Sequence, residues 1–166
     1  FDFVCANYDF KNTVLDTLVK PYKIFFKDGI KIGVFGLGIE LLHLVSPDLY
    51  KETKYLDPIE ITQDISRDLK EKEACDLVIC LSHLGYNYKN SDKISDLKLA
   101  AATKNIDLII GGHTHTFLPK PTLVKNLNNE NVLVNQVGAY GVNLGRVDFY
   151  FDENNQREIS NKTIIL

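Results

Sequence analysis

The chain has 166 residues, of which 45% are hydrophobic and 25% charged, and its formal net charge is −3 at pH 7. This composition is typical of a globular domain. It excludes disorder, collagen and a coiled coil as the main architecture, and also a domain-wide basic field for nucleic acid. The most apolar stretch, residues 30–45, is interrupted by Lys31, Glu40 and His43 and falls short of the roughly 20 residues that cross a bilayer.

The first part of the sequence predicts short strands. Residues 3–6 form a β-like run that ends at Asn7. Residues 22–26 and 30–35 flank a Lys-Asp-Gly sequence, which favours a β-hairpin with a tight Asp-Gly turn. The glycines that follow indicate a chain that loosens as it leaves the second strand, and we expect residues 37–50 to form a covering loop.

A helix is predicted over residues 58–72. Asp57 suits the N-cap, a proline follows at the first helical position, and a glutamate stands two residues further on. Apolar side chains recur every four residues at Ile61, Ile65 and Leu69. This spacing predicts one stripe of the helix that faces a core.

Two buried strands are predicted in the middle of the chain. Residues 76–81 and 107–110 are unbroken apolar runs, and a helix over residues 91–104 separates them. A right-handed crossover makes such strands parallel, so their carboxyl ends meet at one edge of the sheet, where α/β proteins bind ligands. The rest of the chain predicts further strands and a turn at 152–155, and the strands cover residues 132–136, 144–151 and 158–165.

Three of the four histidines follow the ends of the two buried strands. His83 follows the first strand. His113 and His115 belong to the Gly-Gly-His-Thr-His-Thr sequence of residues 111–116, which follows the second. In an extended backbone these two histidines project to the same side, so we expect them to converge with His83. Taken singly, each could be a hydrogen-bonded residue at a strand end; together they predict a transition-metal site, because neutral imidazoles bind such ions.

Other reactive residues are better explained by packing or solvation. His43 lies among leucines, which predicts a packing role. Asp92 and Asp96 lie on the loop and helix after His83 and are expected at the solvated surface. The cysteines form no Cys-x-x-Cys pair and are predicted to be buried strand thiols; they are Cys5, Cys75 and Cys80.

Two motifs resemble the last two metal motifs of the calcineurin-like metallophosphoesterases. They are Leu-Ser-His-Leu-Gly at residues 81–85 and Ile-Ile-Gly-Gly-His-Thr-His-Thr at residues 109–116. The segments at residues 5–8, 31–38 and 143–147 place the likeness nearest the 5'-nucleotidase branch. The resemblance implies an α/β fold of two packed sheets flanked by helices. It also implies hydrolysis of a phosphate ester, such as a nucleotide, with two divalent ions (zinc, manganese or iron) that activate water.

The same resemblance implies the metal ligands. His83 and His113 resemble the pair that binds one ion, and His115 resembles a ligand of the other. The earlier motifs of the family, which supply the bridging aspartate and the histidine that protonates the leaving group, are absent. Residues 1–166 are therefore expected to be the C-terminal part of a single metallophosphatase domain. Alone, this part should be inactive, contribute no catalytic residue and hold at most one ion weakly.

The expected partner is the missing N-terminal half of the domain or a second copy of the chain, because a divided sandwich exposes apolar strand faces. The family resemblance suggests the periplasm or the cell surface as the location. Two other functions remain open. One is a non-catalytic module in which the histidines hold a metal or an anion, and the other is a redox or nucleotide-binding protein that uses the glycine run of residues 33–38.

Overall fold

The structure, a computed structural model, describes residues 2–89, 91–152 and 157–165. Its helices are α1 (Pro47–Tyr50), α2 (Pro58–Glu71) and α3 (Asp96–Ala102). Its strands are β1 (Phe3–Val4), β2 (Tyr8–Asp9), β3 (Val19–Lys20), β4 (Tyr22–Lys27), β5 (Ile30–Leu37), β6 (Lys54–Tyr55), β7 (Leu77–Ser82), β8 (Leu108–Ile110), β9 (Thr122–Lys125), β10 (Asn131–Asn135), β11 (Asn143–Phe151) and β12 (Arg157–Ile165). The predicted α/β class is confirmed. In the described ranges, no helix has the length and apolar character needed to cross a membrane.

The largest sheet formed by the described residues has six strands in the order β4-β5-β7-β8-β10-β9. Strands β5, β7, β8 and β10 run parallel, whereas β4 and β9 pair antiparallel at the two edges. The parallel strands bring their carboxyl ends to one edge of the sheet. His83, which follows β7, and residues 111–116, which follow β8, both lie at this edge.

The predicted hairpin of β4 and β5 is confirmed. Asp28 and Gly29 both have positive φ angles, 49° and 84°, as the two-residue turns that match the twist of paired strands require. The glycine run 33–38 does not loosen the chain, because β5 continues through most of it. An added Cβ at Gly33 would lie 2.9 Å from a methyl carbon of Leu69, so the strand and α2 pack closely there. This packing argues against a phosphate-binding loop.

Helix α2 begins as predicted, and its predicted apolar stripe is buried in part. The carboxylate of Asp57 accepts hydrogen bonds from the backbone nitrogens of Ile59 and Glu60, at 2.8 and 3.0 Å. Of the predicted apolar stripe, Leu69 is fully buried and Ile65 packs against the core, whereas Ile61 is half-buried outside it. Small polar side chains occupy the rest of the buried face. The buried residues of the helix are Pro58, Thr62, Ser66 and Leu69.

Helix α3 is shorter than predicted, because it begins at Asp96, after the N-cap Ser95, and not near residue 91. Its Leu99 is fully buried in the same core as Val78 and Ile109. The core therefore lies between the central strands and the helices.

Outside the main sheet, two expectations differ from the structure. Residues 37–50 are not one loop: Leu37 ends β5, α1 closes the segment, and Leu42, Leu44 and Leu49 are exposed. Strand β9 was not predicted, because it is a short edge strand with alternating exposure that carries little apolar signal. The hairpin of β11 and β12 is confirmed. Beyond Asp152, its predicted turn lies outside the described residues.

Candidate metal centre

His83 is held by the backbone on both sides. Its own amide nitrogen donates a hydrogen bond to the carbonyl oxygen of Leu37 at 2.8 Å, which ties it to the end of β5. The preceding residue, Ser82, is buried. Its hydroxyl oxygen accepts a hydrogen bond from the amide nitrogen of the following residue, Leu84, at 3.1 Å. The imidazole itself is exposed at the sheet edge. The backbone of His83 is thus fixed while its ring is available to a ligand.

The second histidine segment is a curled loop and not the extended run that the sequence suggested. His113 and His115 have positive φ angles of 67° and 52°. The amide nitrogen of Thr114 donates to the carbonyl oxygen of Gly112 at 2.9 Å, a short-range bond that an extended strand cannot make. The prediction assumed an extended backbone, in which side chains two residues apart project to the same side. That assumption is wrong for this loop.

A buried glutamine fixes this loop from inside. Gln136, which directly follows β10, is 2% exposed. Its Oε1 accepts hydrogen bonds from the hydroxyl of Thr114, at 3.0 Å, and from the backbone nitrogen of Thr116, while its Nε2 donates to the carbonyl oxygen of Gly112. This residue was not predicted from the sequence. The signal that could have found it is its position, since it is a polar residue at the end of a predicted strand.

The rings of His83 and His113 meet edge to face, with centroids 5.3 Å apart. Gly112 permits this approach, because a Cβ at that position would lie 2.9 Å from Nδ1 of His83. Burial, followed by the nearby charges of His83, Lys93 and His115, lowers the pKa of His113 below its ordinary value. A neutral imidazole is the form that binds a metal.

His115 does not complete a three-residue cluster with the other two. Its exposed ring lies against the ring of Tyr140, with centroids 5.8 Å apart. Within the part of the chain that the structure describes, no three His, Cys, Asp or Glu side chains form a group that could hold a metal ion. The structure therefore brings His83 and His113 together, and the assignment of all three histidines as ligands stays a prediction.

His43 lies elsewhere and is not packed as predicted. It is exposed, like its neighbours Leu42 and Leu44, and it lines a cavity of about 330 Å³ with Pro47. The leucines next to it in the sequence lie at the surface of the structure.

The cysteines largely follow the prediction. Cys75 and Cys80 are buried and Cys5 is half-buried, and all are free thiols. Burial raises the pKa of each thiol, most strongly for Cys80, so the three are protonated and poor metal ligands as they stand.

Asp96 departs most from what the sequence predicts. It was expected at the solvated surface, but it is fully buried beneath the two histidine segments. Its carboxylate accepts a hydrogen bond from the hydroxyl of Ser82 at 2.5 Å. Desolvation raises its pKa to about 7, and the bond from Ser82 offsets only part of that effect.

Two segments that follow strand ends meet at the carboxyl edge of a largely parallel sheet. One carries His83 and the other carries the Gly-Gly-His-Thr-His-Thr sequence, and this arrangement indicates the class of protein. The chain belongs to the calcineurin-like phosphoesterases, whose family model matches residues 4–117.

Two relatives show which members of this family the chain resembles. The chain is 38% identical over 149 residues to the trifunctional nucleotide phosphoesterase protein YfkN of Bacillus subtilis, an alignment that covers 89% of this chain and 10% of that protein. It is 32% identical to a 5'-nucleotidase of Vibrio cholerae, covering 81% of this chain and 28% of that protein.

Solved structures agree with these relatives. The 5'-nucleotidase precursor from Thermus thermophilus superposes with a TM-score of 0.83 and 28% identity, covering 100% of this chain and 34% of that chain. The NAD nucleotidase of Haemophilus influenzae gives a TM-score of 0.79 at 28% identity, with the same coverage of 100% and 34%. The chain thus spans between a tenth and about a third of the length of these four proteins.

Proposed function

We propose that this chain supplies one side of the metal centre of a phosphoester hydrolase of the 5'-nucleotidase type. The observation that carries the proposal is the contact between the rings of His83 and His113 at the carboxyl edge of the sheet. In this proposal residues 1–166 are the C-terminal part of a single metallophosphatase domain. The chemistry is that of two divalent ions, zinc, manganese or iron, which when bound activate a water and neutralise charge on the phosphate.

The donors present fit part of such a centre. His83 and His113 are neighbouring imidazoles, His113 is neutral over a wider pH range than a free histidine, and both suit one ion. His115 is proposed as a ligand of the other ion. Three neutral imidazoles do not offset the repulsion between two divalent ions about 3.5–4 Å apart, so carboxylates must come from elsewhere. Asp107 cannot supply one, because it precedes β8, at the opposite end from His113, and faces Lys70.

The chain alone is therefore proposed to hold at most one ion weakly and to be inactive. Its role would be to bind and orient: the backbone bonds around His83 and the Gln136 bonds to residues 112–116 fix the segments that carry the imidazoles before any ion arrives. Preorganised ligands of this kind raise affinity by lowering the cost of ordering on binding.

The proposed substrate is a nucleotide or a related phosphate ester. The names of the relatives share this substrate class, since they include a nucleotide phosphoesterase, a 5'-nucleotidase and a NAD nucleotidase. The proposed location, from the family resemblance, is the periplasm or the cell surface.

The proposed partner is the remaining, N-terminal part of the domain. Exposed apolar side chains support a covering polypeptide near the β4 edge of the sheet, where β1 and β3 also lie; they are Phe3, Leu18, Phe25 and Phe26. Exposed apolar side chains of this kind favour association with another polypeptide. Sedimentation of the isolated chain should show self-association, and a well-behaved monomer would count against the proposal.

The decisive experiment joins the chain to the preceding part of its domain. Metal content is measured by mass spectrometry and hydrolysis with a nucleoside monophosphate, with the chain alone in parallel. We expect two ions and hydrolysis to appear together in the joined domain, and neither in the chain alone. His113→Ala should remove both the two-ion metal content and the hydrolysis, whereas exposed His43→Ala should leave these two quantities unchanged.

Two results would overturn the proposal. If the joined domain holds two ions but hydrolyses no phosphate ester, a non-catalytic binding module is the better description. If the chain alone hydrolyses an aryl phosphate and His113→Ala abolishes that activity, the division of ligands is wrong.

A further inference from the structure

Asp96 is buried in a place where a carboxylate is costly. It is the first residue of α3 and is 0% exposed. Its amide nitrogen donates to the carbonyl oxygen of Gly85 at 2.8 Å, so the backbone of α3 is joined to the segment that carries His83. A carboxylate at the first position of a helix normally faces water, and burial of this one requires compensation.

One carboxylate oxygen acts on the His83 segment. The Ser82 hydroxyl donates to Oδ1 of Asp96 at 2.5 Å and accepts from the amide nitrogen of Leu84 at 3.1 Å. The residues before and after His83 are therefore linked through a single hydroxyl whose direction is set by Asp96. Without the carboxylate, the Ser82 hydroxyl has no fixed acceptor.

The other carboxylate oxygen lies against the second histidine segment. A Cβ at Gly111 would collide with Oδ2 of Asp96, so the loop that leads to His113 rests directly on the carboxyl group. This Oδ2 is buried and has no hydrogen-bond partner among the described residues. If Asp96 only filled space, an apolar side chain would fill the same space without the cost of an unpaired buried oxygen.

We infer that Asp96 is a positioning residue that holds the His83 and His113 segments at the spacing needed to share one metal ion. Asp96 acts through Ser82 on one side and through contact with Gly111 on the other. This inference rests on the proposed metal centre, in which His83 and His113 are ligands. Groups that orient metal ligands in this way usually change metal affinity by about 10- to 100-fold when replaced.

The test compares Asp96→Ala, Asp96→Asn and Asp92→Asn in the full 166-residue chain. Two quantities are measured: the nuclear Overhauser contact between the imidazole rings of His83 and His113 in metal-free protein, and the affinity for zinc ions alone by calorimetry. Asp96→Ala should remove the ring contact and weaken zinc binding by about tenfold or more. Asp96→Asn should keep both, with zinc affinity within about threefold of the wild type, because its side-chain oxygen still accepts from Ser82. Asp92 is exposed on the preceding loop, so Asp92→Asn should change neither.

A folded Asp96→Ala chain with wild-type ring contact and zinc affinity would overturn the inference, as would an Asp96→Asn chain as impaired as Asp96→Ala. If Asp96→Ala does not fold, Ser82→Ala tests the same bond and should also loosen the ring contact. The ring contact separates this inference from the proposed function. If the wild-type chain alone binds no zinc, the Asp96 variants are judged by the ring contact, and the metal centre is judged by the metal content of the joined domain.

Discussion

The side-chain amide of Gln136 donates a hydrogen bond to the carbonyl oxygen of Gly112, and this bond joins the end of β10 to the loop that carries His113. The same side chain accepts two more hydrogen bonds, from Thr114 and Thr116. One buried residue therefore fixes three points of a loop whose backbone is partly left-handed. The shape of the candidate metal centre depends on this link between neighbouring parallel strands.

Replacing Gln136 with leucine should destabilise the chain by about 2–4 kcal/mol, because each lost buried bond leaves an unpaired group in the loop. Urea unfolding followed by circular dichroism measures the change. The matched control is Gln63→Leu on α2. Gln63 is exposed and its side-chain amide donates a hydrogen bond to the carbonyl oxygen of Ala102, and the loss of this bond should cost no more than about 0.5 kcal/mol. Equal effects of the two substitutions would contradict the role given to Gln136.

The second prediction concerns the ionisation of His113. In metal-free protein its pKa should lie below the ordinary value of 6.5, chiefly because of burial and next because a charged His83 opposes a second positive charge. His83→Ala removes the second cause and should raise the pKa of His113, while exposed His43→Ala should leave it unchanged. Titration of the imidazole signals by NMR measures both. A pKa that does not respond to His83→Ala would show that the two rings are apart in solution.

The third prediction is steric. Gly111→Ala places a Cβ against the Asp96 carboxylate and should destabilise the chain by about 1–3 kcal/mol or more. The same change at Gly141, which has a φ of 71° and open space around it, should cost only the left-handed backbone strain of about 1 kcal/mol. In an Asp96→Ala background the cost at Gly111 should fall, whereas the cost at Gly141 should not. Purely additive effects at Gly111 and Asp96 would show that the two residues are not in contact.

The fourth prediction is a pH dependence of stability in the presence of a chelator. Asp96 has a pKa of about 7 in the folded chain, above the ordinary value of 3.8, so the folded state retains this proton after the unfolded state has lost it. Its contribution to stability is therefore fully present below about pH 4 and is lost as the pH rises through 7. The whole interval corresponds to about 4 kcal/mol at roughly 1.4 kcal/mol per pH unit.

Asp96→Asn carries no such proton, so between pH 4 and pH 8 its free energy of unfolding should rise relative to that of the wild type. Urea unfolding at several pH values measures the difference. Asp92→Asn, at an exposed position, should follow the wild-type curve. Parallel curves for Asp96→Asn and the wild type would mean that the carboxyl group is solvated.

The sequence by itself determined the order of the elements and the edge at which the histidines lie. Apolar runs separated by amphipathic helices require parallel neighbouring strands, and parallel strands place their following residues at one edge, which is why His83 and His113 could be expected together. The Asp-Gly turn and the start of α2 at Asp57 were equally local, because turn geometry and N-capping depend on adjacent residues.

The tertiary structure decided what local patterns do not contain. Asp96 is polar and next to a loop, so its sequence indicates solvent; only the packing of Gly111 over it and the hydroxyl of Ser82 below the loop make it a buried residue. Gln136 reaches the histidine loop from another strand. His113 and His115 adopt positive φ angles within the loop that those bonds hold in place. Long-range hydrogen bonds and burial fix these positions, and they exist only after the strands have assembled.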